Sequence, residues 1–402
     1  MTIAAPPAPG TAARLPALDV VRGVAVLGIL TANIIGLGQP MSGYGWPGGF
    51  LSPPGPLGDA LWAAQQVLVD GKFRGLFTLL FGAGMVLFWR RARERGSGTG
   101  LLARRLGWLA LFGLLHWLLL WRGDILLPYA VAGLLTLPFL GWPAEKQIVL
   151  GLIGYLVGAA LMVWIAASIS AMPPDQLSSL ARRDVADGVI EGEIMARGVH
   201  LAWVAHNLGV HGNALPANLL WTLFETVPLL LIGMSLVDGG LFDGRAGRRR
   251  QGRWGAALWL GGTAVTLAIV APALTGGIDY ADSMAVPAWA AFPALPAALG
   301  LMALLARWGQ AAHGPLARRL AAAGQCAFSN YIGTSALALA VFSGWGLGLF
   351  GTLGRLELYG VMLVFWALML AWPVWWLARF RHGPLEWLWR CLTYGRRMPF
   401  RR

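Results

Sequence analysis

The chain has 402 residues, of which 57% are hydrophobic and only 12% charged, against about 45–50% and about 25% in a soluble globular domain. Too few polar side chains remain to coat a water-soluble surface of this size. The apolar residues are blocked into runs of about 20, the length a helix needs to cross a hydrocarbon layer of roughly 30 Å. The formal charge of +13 would suggest nucleic acid in a soluble protein, but in a membrane protein its meaning depends on how it divides between the two faces.

Residues 1–16 read as a disordered lead rich in Pro and Ala, and the apolar run that follows has no small-residue cleavage site after it. Ten spans are predicted, at 20–37, 73–89, 102–121, 125–141, 148–169, 217–237, 254–274, 286–306, 324–349 and 356–378. The expected fold is therefore an all-α polytopic transmembrane bundle over 17–378, followed by a basic tail at 379–402. Lys and Arg are retained on the cytoplasmic side of a membrane. With the N-terminus inside, 24 of the 31 basic residues fall on that side. Both termini are thus expected to be cytoplasmic, which agrees with an even number of spans. The expected partners are the lipid bilayer, with anionic lipid at the cytoplasmic face, and no nucleic acid. Cys326 and Cys391 both fall on the cytoplasmic side, so no disulfide is expected.

One long segment, 170–217, lies outside the membrane in this topology. Met172-Pro173-Pro174-Asp175 opens a helix there, and helical spacing from 184 to about 211 puts His200, Asn207 and His211 on one face. Two readings are open: an amphipathic lid on the membrane surface, or a lid that faces substrate. No metal is expected, because the i, i+4 histidine pair of zinc helices is missing.

An ionisable side chain inside lipid costs roughly 2.5–3.5 kcal/mol on insertion scales, so those retained in spans are functional candidates. The first span carries Asp19, Arg22 and Asn33. Asp19 and Arg22 are spaced to pair, and Asn33 lies eleven residues beyond Arg22 on nearly the same face. His116 sits more than a turn inside the third span, as a satisfied hydrogen-bonding partner or as an acid–base group. Asp124 is able to orient it only if the chain turns back at Gly123. Glu225, three residues before Pro228, is either a proton-relay or substrate group or the partner of an Arg on another helix. Lys72 and Arg74 either bind an anion or snorkel to the interface. With Arg122 they cluster among the seven basic residues of the acidic outer side, the others being Arg182, Arg183, Arg197 and Arg355. Asn330 and Tyr331 are weaker polar candidates.

Leu18-Asp19-Val20-Val21-Arg22-Gly23, Lys72-Phe73-Arg74-Gly75-Leu76-Phe77, Gly113-Leu114-Leu115-His116, Gly123-Asp124-Ile125-Leu126, Ser329-Asn330-Tyr331 and Gly383-Pro384-Leu385-Glu386-Trp387 together resemble the YeiB-like family of bacterial inner-membrane proteins, from about residue 14 to 400. That resemblance implies a multi-pass protein of the inner membrane. The first span, with Asp19, Arg22, Gly23 and Asn33, is also distantly similar to heparan-type glucosaminide acetyltransferases and to the membrane acyltransferase-3 group. This wider likeness implies transfer of an acyl group from acyl-CoA, as co-substrate, to an acceptor at or across the membrane. It gives His116 and Asp124 the catalytic role, and Arg22, Asn33, Lys72, Arg74 and Arg122 the binding of donor or acceptor. The acetyltransferases supply a catalytic His soon after the Asn, whereas here no His occurs between Asn33 and His116. A proton-coupled transporter using Glu225 and a non-catalytic membrane scaffold are the alternative readings.

Overall fold

The computed structural model describes residues 16–402 apart from 54 and 56. The lead expected over 1–16 therefore lies outside the described residues but for its last position. Sixteen α-helices make up the described chain. They are α1 (Pro16–Gly38), α2 (Met41–Gly45), α3 (Gly58–Leu68), α4 (Lys72–Glu94), α5 (Gly98–Leu119), α6 (Leu126–Thr136), α7 (Ala144–Ser170) and α8 (Pro174–Arg197). Then follow α9 (His200–His211), α10 (Ala214–Asp238), α11 (Arg248–Gly276), α12 (Tyr280–Gly309), α13 (Pro315–Gln325), α14 (Ala327–Phe342), α15 (Arg355–Leu377) and α16 (Pro384–Tyr394).

Every predicted span falls on a helix, but the helices are of two kinds. Eight helical stretches are long and apolar enough to cross a membrane, α3 and α4 counting as one, while 126–139 and 327–342 are shorter apolar helices. The ninth predicted span, 324–349, is cut at both ends. Cys326 separates α13 from α14, and Ser343, with extended backbone, terminates α14. The extramembrane helix expected over 184–211 is likewise cut, at Gly198, whose φ of +69° ends α8 in a left-handed turn.

The bundle is organised around α1. Of its most apolar stretch 72% is buried inside the protein, against 22% in α7 and in α11, so the latter two present most of their surface to lipid. Close backbone approach replaces hydrophobic driving force in such a bundle. A Cβ on Gly23 would lie 2.0 Å from the Leu320 carbonyl oxygen, and one on Gly324 would lie 1.9 Å from that of Asp19. Helices α1 and α13 are thus in backbone contact.

The two ends of the bundle are built differently. One end gathers the start of α1, the start of α5 and α16, and we call it the terminal end. There the Glu386 carboxyl accepts the backbone N–H groups of Phe328 (2.8 Å) and Ser329 (3.0 Å) and the Ser329 hydroxyl, capping α14. Trp389 donates its indole N–H to the Arg105 carbonyl (2.8 Å). The basic tail carries an amphipathic helix here, with Phe380 stacked on Trp376 and Phe400 meeting Trp376 edge-on and Trp387 at a tilt. The opposite end is covered by α8 and α9, and we call it the lid end.

Candidate functional site

The α5–α6 turn determines the site. Helix α5 stops at Leu119, and residues 120–125 reverse the chain so that Asp124 folds back over the preceding turn. Its Oδ2 accepts the Leu127 N–H (2.7 Å), capping α6, and its Oδ1 lies 2.8 Å from His116 Nδ1. The other ring nitrogen, Nε2, is 2.9 Å from the hydroxyl oxygen of Ser335 on α14. Asp124 is an acceptor, so Nδ1 carries the proton of the neutral imidazole. Nε2 is then left to accept the Ser335 O–H, a closer acceptor than the Tyr331 carbonyl at 3.4 Å that the same hydroxyl reaches. This is the hydrogen-bond order of a serine, histidine and aspartate relay.

The relay is closed to solvent: the side chains of His116 and Asp124 are 0% and 1% exposed, and Ser335 is buried. The imidazole packs on the Tyr331 ring, at 5.0 Å between centroids, and the Tyr331 hydroxyl accepts the Ile125 N–H (3.2 Å), bracing the turn. Just outward, one turn beyond both Ser335 and His116, is a cavity of about 20 Å³ among Gly36, Trp121, Glu191, Trp203, Ala338 and Phe350. It has room for about one water molecule.

The lid closes over this cavity through polar contacts. Arg122 Nη2 pairs with Glu191 Oε2 of α8 (2.9 Å), and its Nη1 abuts His211 Nε2 of α9. Asn207 donates its amide to the Trp117 carbonyl (3.0 Å), and Gly344 N–H donates to the Met195 carbonyl (2.8 Å). Burial pushes the Glu191 carboxyl above its usual range, with Arg122 opposing that shift. Burial, and then the adjacent Arg122 charge, push His211 down to about 4, so at neutral pH its Nε2 is an acceptor.

The other predicted residues separate into groups. Arg22 pairs with Asp19 (3.3 Å) at the terminal end. Asn33 forms no side-chain hydrogen bond with another described residue. Gly38 packs on Phe342; counting back at 1.5 Å per residue, Asn33 lies about 7 Å and Ser335 about 10 Å below that level, a similar depth. Arg74 is ion-paired with Glu225 (2.6 Å). Lys72 does not snorkel: it is 1% exposed and donates to the Gln66 carbonyl (2.7 Å). Arg122 serves the lid rather than joining Lys72 and Arg74. Asn330 is a packing contact, accepting the Trp372 indole N–H (2.7 Å).

Sequence reasoning missed Ser335, one hydroxyl in an apolar run, and Arg355, counted only among the basic residues of the outer side. Arg355 is 0% exposed at the start of α15. Its Nη1 donates to Gln65 Oε1 (2.9 Å), whose amide nitrogen in turn reaches Asp70 (3.1 Å). Its Nε and Nη2 have no hydrogen-bond partner among the described residues, and the Phe50 ring lies 5.1 Å beneath the guanidinium.

Apolar helices of spanning length, a polar relay sealed among them and a helical lid over one end define a polytopic helical membrane protein. Residues 236–396 match the family described as "Protein of unknown function (DUF418)". The chain is 31% identical to the uncharacterized protein YeiB of Escherichia coli (strain K12) over 390 residues, covering 94% of this chain and 95% of that one. It is 27% identical to the uncharacterized protein YxaH of Bacillus subtilis (strain 168), with 95% and 94% of the two chains covered. To the uncharacterized 39.9 kDa protein in the amylase 3' region of Bacillus acidopullulyticus it is 27% identical, with 96% and 95% covered. The chain belongs to the YeiB-like family. No solved structure matches it.

Proposed function

We propose that this protein is a membrane acyltransferase in which Asp124, His116 and Ser335 act as one proton relay. The observation that carries the reading is His116 held between a carboxyl at 2.8 Å and a hydroxyl at 2.9 Å, with no water-accessible surface. In this reading the Ser335 oxygen attacks the thioester carbonyl of acyl-CoA while its proton passes to His116 Nε2. The C–S bond then breaks, and His116 returns the proton to the leaving thiolate. A hydroxyl or amine of the acceptor repeats the sequence on the acyl-serine, regenerating Ser335. Asp124 keeps the imidazole in the productive tautomer and stabilises its cationic form. Asn33, at similar depth and with an uncommitted amide, is the donor to the developing oxyanion.

In the same reading the terminal end faces the cytoplasm of a bacterium, the chain crosses the inner membrane ten times, and anionic lipids meet the basic inner face. Arg22 there attracts the phosphates of CoA. At the lid end Lys72, Arg74 and Arg122 are committed to protein partners, so the acidic acceptor expected of them falls instead to Arg355. Its two unpartnered nitrogens, Nε and Nη2, suit a carboxylate or phosphate. The pairing of Glu225 with Arg74 occupies the acid that a proton-coupled transporter would need free.

The test is consumption of labelled acyl-CoA by the purified protein in lipid nanodiscs, with water taking the acceptor's place on the acyl-serine and releasing the free acid. Turnover is expected, falling by about 10³-fold or more in His116→Ala and in Ser335→Ala while both variants stay folded. A wild-type protein that neither binds nor consumes acyl-CoA, or a His116→Ala variant as active as wild type, would overturn the proposal.

A further inference from the structure

Helix α8 runs antiparallel to α9 across the lid end, and three metal-ligating side chains meet between them. Asp187 comes from α8, and His206 and His211 come from α9; one ligand atom of each lies within 4.8 Å of the other two. Asp187 Oδ1 is 3.8 Å from His206 Nε2, and Asp187 Oδ2 is 3.5 Å from His211 Nε2. Two ligands bound to one zinc ion at about 2.1 Å in tetrahedral geometry sit roughly 3.4 Å apart, so the observed spacings need only small side-chain rotations. The two imidazoles stand nearly perpendicular, at 84°, with centroids 5.6 Å apart. They are therefore not stacked on one another, and each can direct a nitrogen to a shared point.

A second observation points independently to a ligand. His206 Nε2 is buried, and no hydrogen bond satisfies it among the described residues, since 3.8 Å is too long for one to Asp187. A buried ring nitrogen without a partner costs about 1–3 kcal/mol, a cost that coordination removes. His211 Nε2 is the atom that Arg122 abuts, and an acceptor lone pair engaged by a guanidinium N–H is the same lone pair a cation would take. Arg122 would keep its second nitrogen on Glu191.

We propose that Asp187, His206 and His211 form a divalent transition-metal site, best suited to zinc, that ties α8 to α9. Two imidazoles and one carboxylate are ligands that zinc accepts, with a fourth position left for water. The sequence spacing hid the site because its two histidines are five residues apart and the third ligand comes from the other helix. Loading would also release Arg122 from His211, two residues before Asp124, and so join the lid to the turn that carries the relay. The site stands whether or not the relay transfers acyl groups.

The experiment is calorimetric titration of the full-length protein, purified without a histidine tag and stripped with chelator, with Zn²⁺, together with the absorption spectrum of the Co²⁺ form. One saturable site is expected, with visible bands of Co²⁺ bound through nitrogen and oxygen at low coordination number. Affinity should fall at least tenfold in His206→Ala and in Asp187→Asn, and remain unchanged in His200→Ala, a lid histidine that stacks on Trp203 instead. Binding that survives in the His206→Ala, Asp187→Asn double variant, or no saturable binding by a wild-type protein whose melting is cooperative, would overturn the proposal.

Discussion

The terminal end and the lid end of this bundle are both closed, by different physics. At the terminal end the helices touch backbone to backbone at Gly23 and Gly324, and Glu386 holds three donors at the start of α14. Separating those parts would expose backbone polar groups to lipid, so these helices are expected to stay packed while acyl-CoA docks at Arg22 and its thioester reaches the relay between them. At the lid end the backbone of Gly344 also lies against Ala196, but the side-chain ties of α8 and α9 are one ion pair, the abutment of Arg122 on His211, the Tyr280 hydroxyl on Asp184 and single hydrogen bonds to carbonyls. These can be exchanged for water without dismantling a spanning helix. Opening for the acceptor thus falls to the lid, and a rigid docking face for acyl-CoA to the opposite end, with the relay between them.

Locking the lid gives the largest expected effect. A Cβ on Gly188 would sit 3.2 Å from the Ser42 hydroxyl oxygen, close enough for a disulfide in the Gly188→Cys, Ser42→Cys double variant. Oxidation should reduce acyl-CoA turnover by about 100-fold or more, and reductant should restore it. Full activity in the oxidised variant would show that the lid does not admit the acceptor. At the other end, Glu386→Ala leaves three donors without their acceptor and should cost about 1–3 kcal/mol for each one left buried and unpaired, read as a lowered melting temperature.

Smaller again is Gly23→Ala, which forces a methyl against the Leu320 carbonyl and should cost roughly 1–3 kcal/mol. Gly84→Ala, where nothing lies within 4 Å of the added carbon, should change little. Equal melting temperatures for these two variants would remove the claim that α1 and α13 are clamped. The smallest effect belongs to Glu191→Gln, which weakens the hold of Arg122 on α8. Amide exchange in α8 and α9 should quicken by about tenfold, with the melting temperature unchanged.

The spans were legible because lipid imposes a simple rule on composition, and every predicted one coincides with a helix. Their breaks were less so. Gly198 ends α8 in a left-handed turn, yet it is one glycine among 55, and Ser343 ends α14 with no proline to mark the stop. At the site, His116 and Asp124 could be proposed together because the Gly123 turn between them is local. Ser335 is 219 residues from its partner, and nothing around it marks one hydroxyl as different from another. Lys72 was recognised as unusual but its destination was not, since a lysine that bends back to a carbonyl and one that reaches for headgroups have the same sequence. Arg355 was only counted with the outer basic residues, because burial cannot be read from an arginine at the start of an apolar run.

The central claim is that Ser335 receives an acyl group through His116. It is tested most directly by peptide mass spectrometry of the protein after incubation with acyl-CoA in the absence of acceptor. The account predicts an acyl mass increment on the peptide containing Ser335 in the wild type, and none in His116→Ala. Turnover of acyl-CoA by the wild type with Ser335 unmodified, or the increment appearing equally in His116→Ala, would contradict it.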